Sequence, residues 1–395
     1  MLLLASTLGV MAGATIVPVL ALIQNDLGVS GTAAGFIITT HGLTIALTST
    51  LVGRVIDRFG VRLPLAAGLV LYGLGGGAGI LTEGFPALIA SRVALGLGAA
   101  VVFTGTTTAM LSLYQGPRRD RVMGWRTTAT TVGGITWPLL AGALGGLSWH
   151  AAFTVYLIGV PLGVAVLFAI PKTRTPVQDR KNTGGIFKLL RSRPVLLGYA
   201  GLMIATGVMM YVPAVNLPKR LEEIGITSTI LVSVYAVVGS GISASAVGLF
   251  YARIRARWSH AALLRVAVVG WSAGLAIYGT LEQPVLLLLA PIVIGIGHGL
   301  AMPSLTVLIG DNAPPELRGR ATSLQGTAMF TGQFISPIIA GPLIAATSFT
   351  TGFLAAAGLG VVIVIVIILL KAKITTPDGE SPDVEVLQAV PRRAA

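Results

Sequence analysis

Arg92, Arg126, His41 and His298 each stand inside a run of apolar residues long enough to cross a bilayer. Asp26 and Asp57 stand at the edges of such runs. A charge held in hydrocarbon costs at least about 2.5–3.5 kcal/mol and normally faces a cavity or a partner. Arg92 and Arg126 are therefore candidates to hold an anion or to balance a nearby group. Imidazoles titrate near neutrality and pass a proton when solvated. His298, flanked by glycine in Gly297-His298-Gly299, is the candidate of that kind singled out here, together with Asp26 in Asn25-Asp26-Leu27-Gly28. The structural alternatives are an arginine bonded to helix-end carbonyls, a hydrogen-bonded histidine and an aspartate at a helix start.

Other chemistries find little to work with. The chain has no cysteine, which removes disulfides, thiolate nucleophiles and cysteine-bound metals. His41, His150, His260 and His298 are too widely spaced for a ligand pair. No metal or cofactor is expected, and no clustered nucleophile and base suggests an enzyme.

These groups must be positioned by a membrane fold. Of 395 residues, 54% are hydrophobic and 10% charged, against about 25% charged in a soluble domain. The 51 glycines suit close helix packing in lipid. Twelve apolar runs are candidate spans: 2–23, 32–52, 64–82, 86–113, 122–147, 151–170, 195–217, 229–250, 261–281, 284–310, 321–346 and 349–370. The first lacks a basic leader and is expected to be an uncleaved helix. A polar interval, 171–194, separates spans six and six as a linker, with a short basic amphipathic piece at Ile186–Leu190. Residues 371–395 read as a disordered tail. The domain expectation is thus a bundle at 1–170 and a second at 195–370.

With the N-terminus inside, 23 of the 27 basic residues fall on one side of the membrane. That bias places both termini in the cytoplasm of a multi-pass cell-membrane protein. The net charge of +13 is then a matter of topology and anionic headgroups, and no nucleic-acid partner is implied.

A shift of 199 residues aligns the halves. Gly96 and Gly98 fall on Gly295 and Gly297, Arg119 and Arg121 on Arg318 and Arg320, and Gly133, Pro138 and Gly142 on Gly332, Pro337 and Gly341. Two six-helix halves with the same direction imply an axis along the membrane normal and a solute path between the bundles.

Three motifs carry a family resemblance. Between spans 2 and 3 runs Gly53-Arg54-Val55-Ile56-Asp57-Arg58-Phe59-Gly60-Val61-Arg62. Span 4 contains Arg92 in Ser91-Arg92-Val93-Ala94-Leu95-Gly96. Span 5 carries Gly124, Gly133, Trp137-Pro138 and Ala141-Gly142. Over essentially the whole length the chain resembles the major facilitator superfamily, in its twelve-helix drug/proton antiporter-like branch. The resemblance implies an all-α membrane protein of twelve helices in two pseudo-symmetric six-helix bundles.

It also implies that Gly53, Asp57, Arg58, Gly60 and Arg62 form a cytoplasmic latch, with Gly53 letting the helix end against a neighbour and Asp57 facing a helix N-terminus. Val61 departs from the pattern, where a basic residue is usual. Trp137 and Ala141 depart from the span-5 antiporter motif, which has glycine at both places.

The expected activity is secondary active transport by alternating access: proton-coupled efflux of small amphipathic or toxic compounds. Small-molecule substrates, protons and the lipid bilayer are the expected partners of a monomer. An importer or facilitator of a small organic anion, with Arg92 as its contact, is the alternative. A membrane enzyme or a non-transporting sensor is more remote. Thr15, Thr104, Tyr211 and Asn216 are cavity candidates, with Met209, Met210 and Met302 as adaptable apolar contacts.

Overall fold

A computed structural model describes residues 1–171, 195–311 and 318–369. Among these every regular element is helical, and they form twelve rods. Rod 1 is broken into Leu2–Ala14, a 3-10 turn at Val17–Val19 around Pro18, and Leu20–Leu27. Rods 2 to 5 are Gly31–Phe59, Arg62–Gly77 with a 3-10 turn, Phe85–Leu113 and Gly116–Gly145. Rod 6 joins Trp149–Ala152 to Gly159–Ala169 through 3-10 turns. Rod 7 is Val195–Glu223; rod 8 joins Thr229–Ser233 to Gly239–Arg255 through a π turn. Rods 9 to 12 are His260–Thr280, Pro284–Leu287 continued by Leu289–Asp311, Arg318–Ala346 and Phe349–Leu369.

Nine of these helices are long and apolar enough to cross a membrane, or ten with the bent first rod. Rod 5 falls outside that test, although it has 30 residues, because Arg126, Thr127, Thr128 and its glycines lower its hydropathy. Rods 2 and 5 pack against the opposite half as well as their own.

Two apolar cores form. One draws on residues from Ala5 to Ile170 together with Val215, the other on residues from Leu196 to Ile367. Glycines let the rods close up within each. A Cβ at Gly98 would meet the Tyr72 backbone at 2.4 Å, and one at Gly297 the Ala267 carbonyl at 2.6 Å. The linker at 171–194 and the tail at 371–395 lie outside the described residues, apart from position 171.

The halves meet at one end. In the first seam, Thr32 Oγ1 donates to the Pro337 carbonyl at 3.0 Å, and Phe36 stacks on Phe334 at 5.3 Å. In the second, Ser233 Oγ donates to the Pro138 carbonyl at 3.0 Å, and Thr229 Oγ1 donates to that of Gly142. At the rim Asn25 donates to Glu222 at 3.1 Å and accepts from Lys219. The seams run inward as far as Gly42 beside Phe330 and Gly241 beside Ile135. Beyond that, no hydrogen bond or ring contact joins the halves among the described residues. Cβ atoms at Gly53, Gly124, Gly248 and Gly326 would meet nothing within 4 Å. Among the described residues the contacts between the halves thus gather at the Arg-poor end, and the halves are parted toward the Arg-rich end.

Candidate functional site

The stretch from Gly53 to Phe59 is not a loop. Rod 2 continues through it and ends at Phe59, about seven residues past the apolar boundary, because a bilayer edge does not stop a helix whose next residues still favour one. Gly53 packs against no neighbour within 4 Å, so the expectation that it seats the helix end is corrected. The turn is Gly60, whose φ of 74° suits glycine and few others. Rod 3 follows at once, and Arg62 in its first turn donates through Nη2 to the Leu167 carbonyl in the last turn of rod 6. A cation at the negative end of that helix is favourable. Arg58 is exposed, its guanidinium 5.4 Å from the Phe59 ring centre. The Asp57 side chain lies outside the described residues.

Arg92 is fully buried within the first half. Nη2 donates to the Gly76 carbonyl at 3.0 Å and Nε to Ser91 Oγ at 3.2 Å. The guanidinium lies 4.8 Å from the Phe153 ring centre and 5.3 Å from that of Tyr156. Rods 3, 4 and 6 thus enclose it. Tyr156 in turn donates to the Ala12 carbonyl and Tyr72 to that of Leu8, tying rods 3 and 6 to rod 1. Arg92 does not reach the cleft, which leaves the anion-importer reading without its contact residue.

Arg126 differs. It is half-buried, with its guanidinium 5.7 Å from the Phe103 ring centre and a buried Nε that has no hydrogen-bond partner. Asp26 is exposed and accepts from Trp149 Nε1 at 2.9 Å, a tether between rods 1 and 6 at the closed end. His298 lies opposite the exposed Ile292 and Ile296 on rod 10, and its buried Nδ1 has no hydrogen-bond partner. Its flanking glycines serve packing, Gly297 against Ala267 and Gly299 against Ala244.

The span-5 residues separate into three groups. Gly124 is exposed with open space around it. Gly133 lets Thr7 of rod 1 approach to within 2.5 Å of its missing Cβ. Pro138 and Gly142 offer their carbonyls to the second half. Trp137 fits where the motif has glycine: it is buried, and its Nε1 donates to Thr7 Oγ1 at 2.9 Å.

Among the cavity candidates, Thr104 shares a face of rod 4 with the exposed Leu97 and Leu111, seven residues to either side. It points outward, and its assignment to the cleft is corrected. Thr15 is buried and donates to Met11, and Asn216 is buried and donates to Val212; both bonds stay within one helix. Tyr211 lies at the boundary between halves. A Cβ at Gly13 would stand 3.1 Å from its hydroxyl and 2.6 Å from His41 Cε1. Gly13, His41 and Tyr211 thus bring rods 1, 2 and 7 together. Phe103 and the gate hydroxyls of Thr32, Thr229 and Ser233 are absent from the sequence reading. Their side chains carry no distinctive spacing.

The model of the Major Facilitator Superfamily matches residues 2–327 and 241–393. The chain belongs to that superfamily. Among its relatives it is 22% identical over 338 residues to Multidrug resistance protein 1 of Bacillus subtilis, covering 83% of this chain and 85% of that one. Similarity to the Quinolone resistance protein NorA of Staphylococcus aureus is 24% over the same length and the same shares. Among solved structures, the nucleoside transporter NupG superposes with a TM-score of 0.77 at 16% identity, over 93% of this chain and 98% of that one. A bacterial homolog of the lysosomal transporter Spinster gives 0.72 at 14%, over 94% of each chain. This member of the superfamily is thus a multi-pass membrane transporter with the major facilitator fold.

Proposed function

We propose that the protein exports small amphipathic compounds in exchange for protons, as a single chain with both termini in the cytoplasm. The observation that carries this reading is the one-ended closure. Among the described residues, five hydrogen bonds and a stacked aromatic pair join the halves, all toward the Arg-poor end. If the arginine bias marks the cytoplasmic side, the cleft is open to the cytoplasm, the state in which an exporter loads. Relatives named for multidrug and quinolone resistance support the outward direction.

A proton must bind somewhere along the way. No carboxylate lies well inside a span, so His41 and His298 are the proposed carriers. Asp26 already has a structural partner in Trp149. The test uses purified protein in liposomes with an imposed pH gradient. The expected result is accumulation of amphipathic dyes against their own gradient, abolished by an uncoupler. No movement across a broad panel, or movement indifferent to the uncoupler, would refute the reading.

A further inference from the structure

We infer that the cleft carries a subsite for an oxyanion on an amphipathic body, formed by the Arg126 guanidinium over the Phe103 ring. The inference deepens the export reading and rests on it for the claim that a bound anion is cargo.

The facing of Phe103 comes first. Rod 4 turns about 100° per residue. Gly98 and Gly105 approach rod 3, at Tyr72 and Leu65. Phe103 is five residues past Gly98, about 140° around the helix. It is close in angle to Gly96, which approaches His41 and Thr44 of rod 2, and its ring touches Gly9 of rod 1. Phe103 therefore points between rods 1 and 2, toward the parted faces of the two halves. Its 52% exposure is exposure to the cleft.

Arg126 reaches the same place from rod 5. It lies ten residues beyond Gly116, so its Cα is about 15 Å along the helix from the Arg-rich end. It shares the face of Gly133, which packs on rod 1. At that depth a cation needs a counterpart. The salt bridges among the described residues use only Lys219 and Arg220, and none engages Arg126. Its Nε is shielded without a hydrogen-bond partner, and the planar fork presents a bidentate pattern that carboxylates and phosphates fit. The ring beneath fixes that fork in place.

The contrast with Arg92 sharpens the case. Arg92 also has one unpartnered nitrogen, Nη1, but a carbonyl, a hydroxyl and two rings hold the rest of it and it is sealed from the cleft. Arg126 has one ring and an opening. Among the described residues no carboxylate opposes Arg126, and a positive site of that kind selects against cations as well as for anions.

The experiment is equilibrium dialysis on the full chain in nanodiscs of zwitterionic lipid, with no gradient present. The probes are several aromatic carboxylates, each paired with its neutral amide and its ammonium analogue. The carboxylates are expected to bind at least tenfold tighter than the amides, and the ammonium analogues least. Arg126→Gln should bring carboxylate binding down to the amide level while leaving the amides unchanged. Arg126→Lys should retain part of the preference, and Phe103→Leu should weaken all three. Equal binding of carboxylate and amide across the panel, or a preference that survives Arg126→Gln, overturns the subsite. If adding phosphatidylglycerol abolishes the preference, the occupant is a lipid headgroup and the cargo reading of the site is overturned. A carboxylate preference in nanodiscs without pH-driven movement in liposomes would refute export and leave the subsite standing.

Discussion

Ser233 closes the boundary between the halves by donating its hydroxyl to the backbone oxygen of Pro138, 3.0 Å away. The arrangement has a twin. Pro337 is the repeat equivalent of Pro138, and its oxygen accepts from Thr32, also at 3.0 Å. The donors come from rods 8 and 2, which are themselves equivalent. The acceptor in each seam is the proline's own oxygen, not the carbonyl four residues earlier that the missing proline N–H leaves free. Gly142 and Gly341, one turn further on, supply the space.

Substituting those glycines tests the gate. A Cβ at Gly142 would lie 2.3 Å from Ser233 Oγ and 2.8 Å from the Thr229 carbonyl; one at Gly341 would lie 2.6 Å from the Thr32 backbone. Gly142→Val or Gly341→Val should therefore disfavour the state closed at the Arg-poor end. The native chain has no cysteine, so a single cysteine in place of Val19, fully buried in the closed state beside Gly145, reports on that end directly. Its labelling by a membrane-impermeant maleimide should rise about tenfold, corresponding to ~1.4 kcal/mol in the equilibrium. An unchanged rate would show that the glycines do not set the closure.

Removing the hydroxyls should act more gently. Ser233→Ala or Thr32→Ala deletes one neutral hydrogen bond worth about 1 kcal/mol, so labelling at the same position should rise about fivefold in each. The double variant should come close to the product, since the two contacts lie in separate seams. A single variant that leaves labelling unchanged would mean that the other seam alone holds the gate.

Arg92 is expected to matter for stability and not for solute recognition. Arg92→Gln loses two ring contacts and strands a buried carbonyl, a cost of about 2–4 kcal/mol. Arg92→Lys cannot reproduce the planar stacking and should recover little. Both should lower the unfolding temperature in detergent, while the folded fraction binds solute normally. Weakened solute affinity at an unchanged unfolding temperature would instead place Arg92 in recognition.

Trp137→Gly restores the residue usual in the span-5 motif, yet it should harm this chain. It removes a buried indole and the bond to Thr7, at a cost of about 3–5 kcal/mol. Thr7→Val leaves the indole N–H without its acceptor, which costs about 1–3 kcal/mol. Thermal unfolding should rank Trp137→Gly below Thr7→Val and both below the native chain.

His41→Gln and His298→Gln separate coupling from translocation. If an imidazole carries the proton, its loss should abolish accumulation driven by a pH gradient and spare solute exchange at equilibrium, measured with labelled solute on both sides of the liposome membrane. Retention of gradient-driven accumulation by the double variant would exclude both histidines.

Much of this architecture is legible from residue order, because a rod in lipid must satisfy its backbone internally over about twenty mostly apolar residues, and the twin halves repeat their Gly and Pro positions. The misreadings have physical causes. Rod 2 was expected to stop where its apolar run stops, but hydropathy reports the bilayer edge, and the helix ends only at Gly60. The outward facing of Thr104 was available from its seven-residue spacing to Leu97 and Leu111. The enclosure of Arg92 was not, since its carbonyl and ring partners come from rods 3 and 6. Arg126 and Phe103 are likewise far apart in the chain and meet only through the packing of rods 1, 4 and 5.

The two seams are fastened by hydroxyls and peptide oxygens, groups with no net charge. A barrier of this kind transfers no charge through the electric field when it parts, so voltage has little purchase on it. Whatever voltage sensitivity the transport cycle shows must then enter through the ions and solutes in transit and through charges carried inside the halves, such as Arg92 and Arg126, and not through the parting of the seams.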